Sequence, residues 1–98
     1  MQITTTAQTL PLTGMREGNR YFIVVTGVTS TLYLEFQHVT GGAWFSYTYP
    51  DATTFNAAAA DVVVADIICP VPRMRLRLGE AQESAWTATW VKQTYEKF

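Results

Sequence analysis

The chain has 98 residues, enough for one domain around one core, and is 48% apolar but only 15% charged, with a net charge of −1. The apolar share excludes disorder, and the charge share, against ~25% in ordinary soluble domains, leaves little polar cover for a free-standing surface. Near-neutrality argues against a general nucleic-acid binder, which shows as a basic domain, and a single cysteine, Cys69, excludes an intrachain disulfide or a cysteine metal cluster.

The opening MQITTTAQTL lacks the basic and apolar regions of a signal peptide. The longest apolar run, Val62 to Ile68, is interrupted by Asp66 and is too short to span a bilayer. The expectation is synthesis in the cytoplasm and no membrane partner.

Residues 1–13 are rich in threonine, with Ile3, Leu10 and Leu12 spaced along them. Thr favours extended backbone, and Pro11 holds Leu10 extended while withholding a ladder donor. This predicts an extended N-terminal arm or edge strand over 1–13, with 14–98 forming a single sandwich domain. Gly14 to Asn19 reads as a turn.

The first central strand spans Arg20 to Thr26 and is apolar on both faces: Tyr21, Ile23 and Val25 on one, Phe22 and Val24 on the other. The next, Thr31 to Val39, sets Leu32, Leu34 and Phe36 against Tyr33, Glu35 and Gln37, the period of two that marks a strand. Gly41-Gly42 reads as a two-residue hairpin turn, since such turns need positive φ. That turn pairs Thr40 with Ala43, Phe36 with Tyr47 and Leu34 with Tyr49. It sends Phe45, Tyr47 and Tyr49 to the core side and leaves Trp44 beside Val39 on the polar face.

Tyr49 to Ala52 reads as a turn, Thr53 to Asn56 as a short edge strand, and Ala57 to Ala60 as a turn or a single helical turn. Asp61 to Cys69 reads as a Val/Ile-rich strand closed by Pro70 and Pro72. Arg73 to Leu78 alternates arginine with Met74, Leu76 and Leu78. Gly79 to Ser84 turns into a last strand, Ala85 to about Tyr95, where Trp86, Ala88 and Trp90 share a face. The expected fold is all-β: an antiparallel β-sandwich, jelly-roll or Ig-like, of about seven or eight short strands with an extended N-terminal arm.

Chemistry is thin. His38, the sole histidine, has no evident orienting partner and reads as a structural or solvent-tipped ring. The acidic residues lie in turns or on polar faces, with no pair in an apolar setting that would split their pKa values. Cys69 beside Ile67 and Ile68 reads as a buried small hydrophobe. Neither a catalytic centre, a metal nor a cofactor is expected.

Two features exceed what a core needs. Arg73, Arg75 and Arg77 form a one-sided stripe: either a solvated face neutralised by neighbours such as Glu80 or Glu83, or a contact for an acidic patch on a protein. Trp44 with Val39, and Phe22 with Val24, are surplus apolar groups needing a second cover. Ile3, Leu10 and Leu12 folding back over them is one reading, a protein interface another, and a sugar-stacking platform at Trp44 a third. The candidate interface residues are thus Trp44, Val39, Phe22, Val24, the three arginines, Ile3, Leu10 and Leu12.

The order TLYLEF, GGAW, an Ala/Asn-rich connection, then RMRLRL, a loop and AWTATW resembles small β-sandwich virion proteins of tailed bacteriophages over roughly Tyr21 to Val91. The resemblance is one of strands and turns. It implies a head decoration or cement protein, or a small head–tail or tail component, located on the virion. It also implies a homo-oligomer, a trimer being one option, that binds the major capsid protein or another virion protein without catalytic residues. The sequence has no collagen-like or coiled-coil extension and no appended receptor-binding module, which weighs against a fibre or spike.

Overall fold

The computed structural model describes residues 1–47, 56–57 and 62–93. Among them are nine strands: β1 (Gln2–Thr5), β2 (Thr9–Leu12), β3 (Arg20–Thr26), β4 (Leu32–Gln37), β5 (Trp44–Ser46), β6 (Asn56–Ala57), β7 (Val62–Ile68), β8 (Met74–Leu78) and β9 (Trp86–Lys92). They form two antiparallel sheets, ordered β1-β9-β3-β7 and β2-β8-β4-β5, with the two-residue β6 also on β4.

The pairs β1·β9, β2·β8, β3·β7 and β4·β5 are nested inside one another. The chain is therefore one long antiparallel hairpin, with its tip between β4 and β5, rolled up so that β3 meets β9 and β4 meets β8. That is the jelly-roll solution of the two-sheet sandwich. The expected strand boundaries hold to within one to three residues, as with Asp61 to Cys69 against β7.

Period-two alternation sets the core. In β7, Val63, Ala65 and Ile67 are buried while Val62, Val64, Asp66 and Ile68 face out. In β8, Met74, Leu76 and Leu78 point inward, and in β9 Trp86, Ala88 and Trp90 do. Between β3 and β4 the chain crosses sheets at Gly27, where φ is +84° and an added Cβ would lie 3.0 Å from the Ala85 carbonyl oxygen. Only glycine suits both the left-handed backbone and the close approach.

Residues 1–13 are edge strands of both sheets. β1 lies on β9 with Ile3 opposite Ala88, and β2 lies on β8 with Leu10 opposite Leu76. Leu10 and Leu12 are buried between the sheets, and Ile3 is half-buried against the same core. They do not fold back over Phe22 and Val24, which lie on the outer side of β3. Nor are the two leucines open to a partner. Each burial stabilises by roughly 2 kcal/mol. The segment also satisfies two buried indoles: Trp86 Nε1 donates to the Ala7 carbonyl at 2.8 Å and Trp90 Nε1 to the Thr13 carbonyl at 2.9 Å.

The β4–β5 hairpin departs from the expected register by two residues. Phe36 faces Phe45, Gln37 faces Trp44 and Glu35 faces Ser46, and Tyr47 N donates to the Leu34 carbonyl at 2.8 Å. A two-residue type I′ turn needs positive φ at both central positions, and here Gly41 has it (79°) while Gly42 does not. The turn is instead Val39 to Gly42, closed by Gly42 N donating to the Val39 carbonyl at 2.9 Å, with Gly41 third. Gln37 Nε2 donating to the Gly42 carbonyl and Arg73 Nη2 donating to the His38 carbonyl hold this wider loop. A shift of two preserves parity, so Trp44 remains outside and Tyr47 inside. Phe45, expected on the core side, is instead 50% exposed: at the edge of its sheet its ring lies against Phe36, with centroids 5.7 Å apart. The turn expected at 49–52, the pairings of Thr48 and Tyr49, and most of the 53–60 connection lie outside the described residues.

Candidate interaction surfaces

The outer face of the β2-β8-β4-β5 sheet is a layer of stacked polar groups. Glu35, at the middle of β4, points outward opposite Arg75 of β8. Its Oε1 accepts from Arg75 Nε at 2.8 Å and from Arg77 Nε at 3.1 Å, and the residue is only 7% exposed. Each guanidinium also lies on an aromatic ring: Arg75 over Trp44 at 4.1 Å and Arg77 over Tyr33 at 4.3 Å. A row therefore runs Trp44, Arg75, Glu35, Arg77, Tyr33, held by cation–π contacts and charge-assisted hydrogen bonds.

Glu35, not Glu80 or Glu83, is the partner of Arg75 and Arg77. A cross-strand neighbour sits at contact distance by construction, whereas Glu80 and Glu83 are exposed on the β8–β9 connection. Arg73 is exposed beyond the row, bound to the His38 carbonyl at 2.7 Å, and His38 is exposed as well. Beside Trp44 a cleft of about 510 Å³ opens, lined by Pro11, Thr13, Met15, Pro72 and Arg73 among others.

The outer face of the β1-β9-β3-β7 sheet is of opposite character. Phe22 faces Val91 on one side and Asp66 on the other, Val24 faces Val64, and Thr26 faces Val62. Phe22, Val62, Val64, Ile68 and Val91 are each 37% to 54% exposed. The described ion pair on this face is Arg20 Nε to Asp66 at 3.0 Å, where Gln93 Nε2 also donates to the carboxylate at 3.2 Å.

The structure thus divides the expected interface residues. Phe22 and Val24 lie on one outer face, and Trp44, Arg73, Arg75 and Arg77 on the other. Val39 is exposed in the β4–β5 turn, and Leu10, Leu12 and Ile3 face the interior. Sequence reasoning missed Val62, Val64, Ile68 and Val91. The signal was present in VVVADII, apolar at alternate positions on both faces, though a strand of that kind is ordinarily covered on both sides. Glu35 and Tyr33 were also missed; they face outward in LYLEF opposite arginines whose strand neighbour the sequence does not state.

Cys69 lies at the end of β7, buried, with Sγ donating to the Val71 carbonyl at 3.0 Å. Burial pushes its thiol pKa up, which disfavours the reactive thiolate. No family model, curated protein or solved structure matches the chain.

Proposed function

We propose that the chain is a non-enzymatic structural protein of a tailed-phage virion, a capsid decoration or cement protein that stabilises the assembled shell through protein–protein contacts. Its partner in this reading is the major capsid protein or another virion protein. The observation that carries the reading is the apolar outer face around Phe22, Val64 and Val91 on a chain with 15% charged residues. The jelly roll serves viral shells, lectins and cupins alike, so the weight rests on this surface and on the resemblance, not on the fold.

The five exposed side chains leave roughly 400 Å² of apolar surface, worth about 10 kcal/mol if covered. Association itself costs about 4–15 kcal/mol, so one such contact is weak and many on a symmetric shell hold through multivalency. The test is co-sedimentation with shells assembled from the major capsid protein that this reading assigns as the partner. Phe22→Asp and Val91→Asp are expected to reduce occupancy at least tenfold, roughly, with an unchanged circular dichroism spectrum. Wild-type occupancy of both variants would remove the proposal. Antibody labelling of particles separates a shell site from a head–tail or tail site.

The cleft beside Trp44 favours a second reading, a carbohydrate-binding module. Arg75 already covers one face of that indole, leaving one ring face for a sugar. Glycan binding abolished by Trp44→Ala supports this reading, and a blank glycan array rejects it.

A further inference from the structure

We infer that β7 is a self-association edge, on which the β7 of a second copy of this chain pairs antiparallel about a two-fold axis to form one continuous eight-stranded sheet. Among the described residues β7 is the outermost strand of its sheet. On the β3 side, Cys69 N donates to the Asn19 carbonyl at 2.9 Å; one residue earlier, Ile68 N donates to Tyr47 Oη at 3.0 Å. Backbone groups alternate in direction along a strand. The odd residues therefore serve β3, and the N–H and C=O of Val62, Val64 and Asp66 point away from the sheet, with no partner among the described residues.

Natural edges are blunted by lysine, proline, bulges or inward charges. Seven residues, VVVADII, run in unbroken register with β3, and their one charge is engaged by Arg20. The strand is its own best complement. A two-fold axis perpendicular to the sheet keeps outer faces together, so a residue of either copy meets one of the same parity. Placing Asp66 opposite Asp66 sets like charges face to face. Placing Val64 opposite Asp66 brings Val62 against Ile68, whose amide is already held by Tyr47. Placing Val64 opposite Val64 avoids both problems. It sets Val62 against Asp66 of the second copy, leaves the Tyr47 bond intact and supplies about six new backbone hydrogen bonds.

Tyr47 thereby acts as a stop against registers that draw Ile68 into the new ladder, and the opposite slide, Val62 against Val64, leaves Asp66 without a described residue to pair with. The joined sheet also carries the apolar outer faces of both copies side by side. The inference rests on the backbone of β7 and not on the virion reading; a dimer without particle binding sustains the one and sinks the other.

Sedimentation equilibrium from about 1 to 500 μM is expected to show mass rising from 11.0 kDa towards twice that value. Val64→Lys, which sets two cations together at the axis, is expected to raise the dissociation constant at least about tenfold. Val64→Pro removes only an outward N–H and is expected to do the same. Val64→Cys tests the register without either risk to folding, because a hydrogen-bonded antiparallel pair has Cα atoms about 5.5 Å apart, within disulfide reach. It is expected to crosslink under mild oxidation, while Asp66→Cys, set opposite Val62, does not. A chain monomeric throughout, a dimer indifferent to Val64→Lys, or preferential crosslinking of Asp66→Cys overturns the inference.

Discussion

Glu35→Gln tests whether the polar row on the outer sheet holds the fold or merely decorates it. The amide matches the carboxylate in volume, so no cavity opens and the change is one of charge. The native Oε1 accepts from two guanidiniums at 2.8 and 3.1 Å. Hydrogen bonds to charged groups contribute about 1.5–3 kcal/mol each, and neutral ones roughly half as much. The arginine side chains are 24% and 31% exposed, so water screens them and the low end applies. Halving two bonds of about 1.5 kcal/mol, then adding the uncompensated repulsion between guanidiniums, gives a loss of about 2 kcal/mol. Asp66→Asn is the internal comparison: its pair with Arg20 is 42% and 46% exposed and contributes at most about 0.5–1 kcal/mol. Urea is the denaturant to use, since a salt would mask both effects. With a slope of about 1–2 kcal/mol per molar for a domain this size, the Glu35→Gln midpoint should fall by about 1–2 M with the slope unchanged. A Glu35→Gln shift no larger than that of Asp66→Asn would refute the reasoning and make the row a solvated surface.

Three further outcomes follow from the interior. Deleting residues 1–12 removes an edge strand from each sheet, the buried Leu10 and Leu12, and the acceptor of Trp86 Nε1, so cooperative melting should be lost. Leu12→Ala alone should cost about 2–5 kcal/mol, and a deleted chain with a native melting curve would contradict both statements. Cys69, buried and with its thiol pKa raised, should resist an aromatic disulfide reagent at pH 8 until the chain unfolds. By linkage, a raised folded pKa means stability is full below the unfolded thiol's ordinary value and is lost as pH rises from there through the folded one. Rapid native-state labelling would place the thiol at the surface instead.

The sandwich was legible because alternation is a local property. Strands β3, β4, β7, β8 and β9 each write their inner face as every second apolar residue, and the pleat then leaves one arrangement. Partnership between strands is not local, and the sequence was silent where it mattered. Glu35 and the arginines stand some forty positions apart, and only the β4·β8 register makes them neighbours. The Gly41-Gly42 turn misled for a related reason: its conformation is set by Gln37 and Arg73 gripping the loop, contacts that a two-residue rule omits. Thr-rich residues 1–13 looked peripheral because threonine is polar, yet every second residue of β2 reaches the core.

Nesting of the strand pairs also dictates an order of events in time. The tip, β4 with β5, closes a short loop, whereas each outer pair closes a longer one, and β1 cannot pair until β9 has been made. Loop-closure entropy is spent before long-range contacts repay it, so folding should take milliseconds to seconds, roughly, with the N-terminal strand docking last. During synthesis β1 leaves the ribosome about 80 residues ahead of its partner, several seconds at ordinary elongation rates. Its composition, Gln-Ile-Thr-Thr, with one large apolar side chain, suits a segment that must wait in water without sticking to anything.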